Sequence, residues 1–305
     1  MSHMLPVFSI IIPTYNRPGQ LADCLAALAQ LDYPADRAEV LVVDDGGALS
    51  PASVVDRFRD RLAIRLIRQD NAGPGSARNT GASNAKGEIL AFTDDDCLPQ
   101  SDWLRALSAR YLSAPDPVIV GGSVVNLLVT NRYAVASQLI VDVGHAYHNS
   151  DPDRARFFTA NNLAIPADRF RKLGGFDVTF GTTASEDREI CGRWLHRGYR
   201  MITASDAVVG HAHGLTWRSF CRQHFNYGRG AVRLQRARRR QGWELFSPDP
   251  SYYRSLLQAP FSRFPLRPAI GLAGLLFLSQ AISAIGMTSE WLRQPQQHAP
   301  SSIEV

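Results

Sequence analysis

Three consecutive carboxylates, Asp94, Asp95 and Asp96, directly follow the apolar run at residues 89–92. A run this apolar predicts a buried parallel strand, and open α/β sheets bind ligands beyond the carboxyl ends of their strands. Three adjacent negative charges repel one another, and a cation offsets that repulsion. Carboxylate oxygens suit Mg²⁺ or Mn²⁺, which also contact substrate phosphates in such sites. The triplet therefore predicts a divalent metal that holds a diphosphate; a solvated acidic turn is the alternative.

Four apolar runs, each followed by polar residues, predict the rest of the sheet. They are residues 8–12, 40–43, 64–67 and 89–92. Segments with helical periodicity separate them, such as the one in which Leu21, Leu25 and Leu28 recur behind Pro18. Alternation of strands and helices indicates βαβ units and a mostly parallel sheet, an α/β fold. We therefore expect the polar strand ends to meet along one edge and form a site.

The composition is that of an ordinary globular protein. Of 305 residues, 45% are hydrophobic and 20% are charged, which is enough to build a sizeable core. The four cysteines are widely spaced and form no Cys-x-x-Cys pair, a pattern that favours neither a zinc ribbon nor a disulfide framework. Because no secretory signal opens the chain, we expect a cytoplasmic protein.

Six short motifs occur in order along the chain. They are Ile-Pro-Thr-Tyr-Asn-Arg at 12–17, Val-Val-Asp-Asp-Gly at 42–46, Asn-Ala-Gly-Pro-Gly-Ser-Ala-Arg-Asn-Thr-Gly at 71–81, Ala-Phe-Thr-Asp-Asp-Asp at 91–96, Gly-Gly-Phe-Asp at 174–177 and Glu-Asp at 186–187. This ordered set resembles the inverting glycosyltransferases of family 2, over about residues 7–230. The resemblance implies the GT-A fold and a nucleotide-diphosphate sugar donor. The Gln-x-x-Arg-Trp motif of processive synthases lacks its Arg-Trp pair after Gln223, so we expect one sugar to be transferred per binding event.

The resemblance implies a donor site at the ends of the first four strands. Tyr15 could stack on a nucleotide base, and either Asp44 or Asp45 could accept hydrogen bonds from the base or ribose. The Gly-rich turn at 73–75 opens a helix whose free amides favour an anion, and Arg78 adds a planar charged donor. The residues expected to contact the donor are Pro13, Thr14, Tyr15, Arg17, Asp44, Asp45, Arg78, Asp94 and Asp95.

The family's Asp-x-Asp pair, here Asp94 and Asp96, is implied to serve the metal. Asp96 is the expected first ligand, with Asp94 on the ribose or on the same metal through water. Some GT-A enzymes complete the metal shell with a downstream histidine, and His211 and His213 follow another strand-like run. We therefore expect Mn²⁺ or Mg²⁺ on Asp96, Asp94 and His211, with His213 as the alternative histidine. A purely structural loop histidine is the simpler interpretation of either.

A second carboxylate pair, Glu186 and Asp187, precedes a helical segment. Inverting transfer needs a base that removes the acceptor hydroxyl proton as its oxygen attacks the anomeric carbon. The family places that duty on the aspartate of the pair, here Asp187, and leaves Glu186 for the acceptor or the sugar. Gly175 and Phe176 resemble the loop on the acceptor side, and the amides of residues 161–162 could bind sugar hydroxyls. The alternative for Asp187 is a charge that only stabilises the helix N-terminus.

The composition changes beyond about Thr216. Eight arginines lie in residues 218–240, with no acidic residue before Glu244, and the apolar segment 269–287 follows a Pro-rich linker at 248–268. A basic amphipathic segment is typical of proteins that bind membrane surfaces, and the apolar segment is close to the lower length limit for a span. Three interpretations stay open: an interfacial or re-entrant anchor, a true span, or a helix packed on protein.

Together these patterns predict two regions and one activity. We expect a GT-A domain at residues 5–230 and a membrane-associating extension at 231–305. The predicted function is metal-dependent, inverting sugar transfer to a hydroxyl of a surface glycan or lipid-linked precursor, at the cytoplasmic face of the membrane and without nucleic acid. The alternatives are a sugar-phosphate nucleotidyltransferase, which would need a Gly-rich loop with Arg and Lys after the first strand, and a catalytically silent nucleotide-sugar-binding protein.

Overall fold

An eight-stranded sheet forms the centre of the protein in a computed structural model that describes residues 5–181, 183–245, 247 and 249–293. The strand order is β3-β2-β1-β4-β7-β6-β8-β5. The strands are β1 (Phe8–Thr14), β2 (Ala38–Asp44), β3 (Ile64–Arg68), β4 (Ile89–Phe92), β5 (Cys97–Pro99), β6 (Val118–Asn126), β7 (Leu163–Pro166) and β8 (Arg200–His211).

The four strands predicted from apolar runs form a parallel half-sheet. β1 pairs with β2 and β4, and β2 pairs with β3, all in parallel. The other half is mixed, because β7 runs antiparallel to β4 and β6, and β5 runs antiparallel to β8. The β6–β8 pair is again parallel. The α/β prediction is confirmed, and the short antiparallel strands β5 and β7 were not among the strands that the sequence predicted.

Helices cover both faces of the sheet. They are α1 (Pro18–Leu28), α2 (Ala52–Asp56), α3 (Pro74–Asn84), α4 (Trp103–Ser113), α5 (Arg132–His148), α6 (Ala167–Leu173), α7 (Glu186–His196), α8 (Trp217–Arg240), α9 (Pro250–Arg263) and α10 (Leu266–Leu292). Ile10 and Ile12 of β1 pack with Leu21 on one face, while Ile11 belongs to the core of the other face. Alternating side chains of one buried strand therefore serve both cores.

Helices α5, α8, α9 and α10 share a third apolar cluster, which includes Leu139, Phe220, Leu256 and Leu276. The expectation of a Pro-rich linker at residues 248–268 is therefore wrong, because α9 occupies most of that segment. The expected domain boundary at residue 230 falls inside α8. Residues 294–305 of the expected extension lie outside the described residues.

Helix α10 lies along α8 at very close range. A Cβ added to Gly228 would lie 1.9 Å from the Ser283 carbonyl oxygen, and one added to Gly286 would lie 2.1 Å from that of Phe225. Near the end of the contact, Glu290 accepts hydrogen bonds from the Nε atoms of Arg229 and Arg233, at 2.8 and 2.7 Å. Glycines allow the backbones to approach, and the ion pairs fix the register of the two helices.

The opposite face of α10 is exposed and apolar. Ile270 and Phe277 are 58% and 73% exposed, and Leu257 and Phe261 are exposed on α9, which contacts α10. Among the described residues, α10 alone is long and apolar enough to cross a membrane by length and composition. One side of the helix therefore packs on the protein, and the other presents hydrocarbon to its surroundings.

The glycine contact between α8 and α10 can be tested by adding one methyl group. Gly228→Ala should lower the free energy of unfolding by about 1–3 kcal/mol, because the new Cβ overlaps backbone atoms that cannot easily move. In Gly274→Ala, where nothing lies within 4 Å of the added Cβ, stability should rise by about 0.5–1 kcal/mol. Urea unfolding of both variants measures the difference, and equal effects would contradict the proposed packing.

Candidate active site

The polar ends of the parallel strands meet at one edge of the sheet, as the sequence predicts. Thr14 ends β1, and its hydroxyl donates to Asp95 Oδ2 at 2.8 Å. Arg17 Nη1 lies 3.2 Å from both Asp95 Oδ1 and Asp96 Oδ2. Burial raises the pKa of Asp95 to about 6, although the Arg17 charge opposes the shift. Asp95 therefore anchors the loop after β1 to the end of β4.

Asp96 lies between two histidines that come from the far end of the sheet. Pairing of β5 with β8 sets Cys97 opposite His211, and the Ala212 amide donates to the Asp96 carbonyl at 2.8 Å. His211 Nε2 lies 3.3 Å from Asp96 Oδ1, and His213 Nδ1 lies 3.0 Å from Asp96 Oδ2. Burial raises the pKa of Asp96, but the hydrogen bonds and charges of the histidines outweigh it and hold that pKa below its usual range.

This cluster fits a divalent cation. Ligand atoms of Asp96, Cys97 and His211 lie within 4.8 Å of one another, and His213 offers a second imidazole. Burial holds the pKa of the Cys97 thiol well above its ordinary value, which makes the thiol a poor ligand. One carboxylate and two imidazoles suit Mn²⁺ better than Mg²⁺, which keeps to oxygen ligands.

Arg78 joins the metal side to the second carboxylate pair. Its buried guanidinium donates from Nη2 to Asp94 Oδ1 at 2.7 Å and from Nη1 to Glu186 Oε1 at 3.1 Å. Burial lowers the pKa of Arg78, but the two carboxylates outweigh it and raise that pKa. Asp94 thus pairs with Arg78 in this structure, and Arg78 spans from the end of β4 to the start of α7.

The second carboxylate pair begins α7 and rests on α8. Ser185, just before the helix, has a φ of 97°, which is rare outside glycine. A Cβ added to Gly230 of α8 would lie 1.9 Å from the Ala184 carbonyl oxygen, so α8 supports this strained turn closely. The backbone amide of Arg188 donates to Asp187 Oδ1 at 2.7 Å, which orients the Asp187 carboxylate.

Both carboxyl groups at the start of α7 hold their protons more tightly than usual. Burial and the Asp187 charge raise the pKa of Glu186 to about 7. Burial also raises the pKa of Asp187, against the nearby charge of Arg188. A carboxylate with a raised pKa accepts a proton more readily, which is the property a general base requires.

The loop at 174–177 is fixed by residues that sequence reasoning missed. Asn79 donates from Nδ2 to the Phe176 carbonyl and accepts from the Phe176 amide, both at 2.8 Å. Arg193 Nη2 donates to the Gly175 carbonyl at 2.7 Å while its guanidinium pairs with Glu189. Two features of the sequence could have indicated these residues. Asn79 lies within the motif at 71–81, and the i, i+4 spacing of Glu189 and Arg193 is typical of an ion pair on a helix.

Asp44 and Asp45 have different partners. Asp45 accepts from the Gln69 amide group and from the backbone amides of Ala72 and Gly73, so both its oxygens hold the loop after β3. The Gly73 amide is therefore not free for an anion, while the expectation for the other amides at the start of α3 stays a prediction. Asp44 accepts from the Gly47 amide, and its other oxygen lies 3.7 Å from Arg68 Nε.

The remaining predicted residues divide between surface and core. Tyr15 is 49% exposed beyond β1, next to Pro13 and Thr14, where a base could stack on it. Asn162 is buried instead, because its amide donates to the Ser123 and Ala207 carbonyls and accepts from Trp103 Nε1. The expectation that Asn162 binds sugar hydroxyls is therefore wrong.

Comparison with known proteins supports the family that the sequence motifs indicate. Residues 9–180 match the family described as glycosyl transferase family 2. The chain is 40% identical to glycosyltransferase AglE of Haloferax volcanii over 268 residues, 84% of this chain and 86% of that protein. It is 30% identical over 241 residues to validoxylamine A glucosyltransferase of Streptomyces hygroscopicus subsp. jinggangensis, covering 70% of this chain and 53% of that one.

Solved structures share the fold. Mannosyltransferase PcManGT from Pyrobaculum calidifontis, in complex with GDP-Man and Mn²⁺, superposes with a TM-score of 0.66 at 22% identity, over 95% of this chain and 88% of that one. Staphylococcus aureus TarS 1–349 gives a TM-score of 0.56 at 17% identity, over 93% of this chain and 90% of that one. The predicted GT-A fold is confirmed.

Proposed function

We propose a reaction on the premise that this chain belongs to glycosyl transferase family 2 and is therefore a glycosyltransferase. In that reaction one sugar passes from a nucleoside diphosphate to an acceptor hydroxyl, with inversion at the anomeric carbon. The observation that carries the proposal is the pair of salt bridges that Arg78 forms with Asp94 and Glu186. Asp94 lies next to the Asp96 cluster, and Glu186 lies next to Asp187. A metal-binding edge and a raised-pKa carboxylate thus lie on either side of one buried cation.

The donor side would use the strand-end residues. Mn²⁺ would be held by Asp96, His211 and His213, and when bound it supplies positive charge that offsets the leaving diphosphate. The side chain of Arg17 is 44% exposed beside Asp95 and Asp96, so it can also pair with a phosphate. Asp44 accepts fewer hydrogen bonds within the protein than Asp45, and it would accept hydrogen bonds from the ribose or the base. The GDP-Man and Mn²⁺ bound by PcManGT support this arrangement.

Asp187 would act as the base. It takes the proton of the acceptor hydroxyl while that oxygen bonds to the anomeric carbon and the bond to the diphosphate oxygen breaks. Because one displacement occurs on the face opposite the leaving group, the anomeric configuration inverts. Glu186, held by Arg78, and the loop with Gly175 and Phe176 would border the acceptor. A nucleotidyltransferase or a silent binding protein would leave this base without a role.

The acceptor would be a glycan or lipid-linked glycan at the cytoplasmic face of a membrane. The exposed apolar face of α10, with Ile270 and Phe277, supports interfacial attachment, and the stripe that packs on α8 disfavours a free span. Arg229 and Arg233, two of the basic residues suggested for lipid contact, pair with Glu290 instead. Exposed arginines such as Arg218 and Arg222 would supply the attraction to anionic lipid.

Metal dependence is expected in nucleotide binding. Calorimetric titration with GDP and UDP should show binding with Mn²⁺ and a loss of at least about tenfold in affinity with chelator, in Asp96→Ala and in His211→Gln. Cys97→Ser, which changes the neighbouring thiol and no proposed ligand, is the matched control and should bind normally. An affinity for GDP or UDP that is unchanged in the presence of chelator would contradict the metal assignment.

The base assignment is tested by removing only the proton acceptor. Asp187→Asn should lose at least about 10²-fold in turnover with nucleotide binding nearly intact. The exposed carboxylate on α6 gives the control Asp168→Asn, which should be normal. Because the pKa of Asp187 is raised, wild-type turnover should fall with decreasing pH before the usual aspartate range is reached. A product with retained configuration would rule the mechanism out.

Membrane attachment is expected to depend on the outer face of α10. The double variant Ile270→Glu/Phe277→Glu should co-sediment less with vesicles of phosphatidylcholine and phosphatidylglycerol, with its unfolding unchanged because both side chains are exposed. Leu112→Glu, an exposed leucine on α4, is the control. Wild-type binding should weaken as salt rises, and vesicle binding unaffected by the double variant would refute the attachment.

A further inference from the structure

Three arginines lie close together on the side of α7 away from Arg78. Arg188 directly follows Asp187, and its guanidinium carbon is 4.2 Å from the centre of the Phe157 ring. Arg156 precedes Phe157 in the chain, and Arg238 lies in the last turn of α8. Burial lowers the pKa of His148 to about 4, and the charges of all three arginines contribute to that shift. One imidazole thus experiences the positive charge of three guanidinium groups.

None of these three arginines forms an ion pair with a carboxylate in the part of the chain that the structure describes. The contrast with nearby arginines is clear, because Arg193 pairs with Glu189 and Arg263 pairs with Asp142. Asp142 is engaged by Arg263, and Glu244 contributes its carbonyl to Arg238 Nη1 at 3.1 Å. The negative charges of Glu244 and Asp187 act on Arg238 and Arg188 without forming an ion pair with them.

Buried polar atoms in the same region also lack partners. Arg238 Nε, His145 Nε2 and Trp243 Nε1 are buried without a hydrogen bond among the described residues. His145 packs edge-on against Phe157 with a centroid distance of 6.1 Å, and the Trp243 amide donates to the Arg238 carbonyl at 2.9 Å. Buried polar atoms are normally satisfied, so three in one neighbourhood suggest a ligand that satisfies at least the nearest of them.

The cluster is separate from the donor site and adjacent to the base. Residues 186 and 188 of a helix point about 200° apart, so Glu186 faces Arg78 while Arg188 faces α5 and Phe157. Gly144 of α5 leaves room there, since a Cβ added to it would lie 4.0 Å from Arg188 Nη2. Arg188 directly follows Asp187, and its positive charge is near enough to oppose the rise that burial causes in the pKa of the Asp187 carboxyl group.

We propose that the acceptor carries a carboxylate or phosphate group near its reacting hydroxyl, and that Arg188, Arg156 and Arg238 bind it. The inference rests on the proposed function, because it takes Asp187 as the residue that meets the hydroxyl. Guanidinium groups match both oxyanions in bidentate geometry, so the two sources share one chemistry. The acceptor is thus an acidic glycan rather than a neutral one.

Three probes are used: methyl β-glucoside, methyl β-glucuronide and methyl β-glucoside 6-phosphate. Their binding is measured in the presence of GDP or UDP, and transfer to them is measured separately with the sugar donors GDP-mannose and UDP-N-acetylglucosamine. The full chain, saturated with GDP or UDP and Mn²⁺, should bind the acidic probes at least about tenfold more tightly than the neutral one, as expected for charge-assisted hydrogen bonds. Arg188→Gln and Arg238→Gln should each remove most of this preference, and Arg188→Lys should restore part of it. The two acidic probes decide between carboxylate and phosphate.

The matched control is Arg239→Gln, which removes the same charge from the exposed end of the same helix and should keep the preference. Equal binding of acidic and neutral probes would overturn the proposal, as would a preference that survives Arg188→Gln. The proposal would also fail if inorganic phosphate bound as tightly as the sugar phosphate. It would fail as well if the arginine variants lost only their binding to anionic vesicles and kept the preference for acidic probes. An acid preference without transfer to any probe would instead keep the anion site and contradict the proposed function.

Discussion

The buried guanidinium of Arg78 is the interaction on which the candidate site depends. It is held by Asp94 from the end of β4 and by Glu186 from the start of α7, two residues that lie far apart in the sequence. A buried cation is stable only when its carboxylate partners stay in place, and removing one partner leaves an uncompensated charge. The edge that would bind the donor and the turn that would bind the acceptor are therefore fixed relative to each other.

The same principle organises the other charges at this edge. Asp95 is paired with Thr14 and Arg17, Asp96 with two histidines, and Asp45 with backbone amides of the loop after β3. Asp94 is paired with Arg78, and Arg17 serves both Asp95 and Asp96, so every carboxylate of the triplet has at least one cationic partner. These partners come from several elements and offset the mutual repulsion. The partners that remain exposed or movable, such as Arg17, are those that a charged substrate can reach.

Apolar runs in the sequence predicted the first half of the sheet, and the resemblance to family 2 supplied the candidate site residues. The runs that became β1–β4 were long and apolar enough to recognise, and their polar ends meet as expected. Partners set by tertiary register were beyond such patterns: the pairing that brings His211 to Asp96 depends on β5, a three-residue strand. The role of Asn162 was likewise decided by the distant carbonyls of Ser123 and Ala207, and that of the Gly73 amide by the distant carboxylate of Asp45. Sequence periodicity does not report such partners.

Helix α8 connects the C-terminal extension to the candidate active site. Gly228 contacts α10 and Gly230, two residues later, contacts the turn before Asp187, so two close backbone approaches share a single helical turn. Glu290 of α10 in turn neutralises Arg229 and Arg233 of α8. Helix α10 is thus connected to the proposed base, Asp187, through one helix and short contacts, which favours treating residues 231–293 as a support for the candidate site rather than an independent tail.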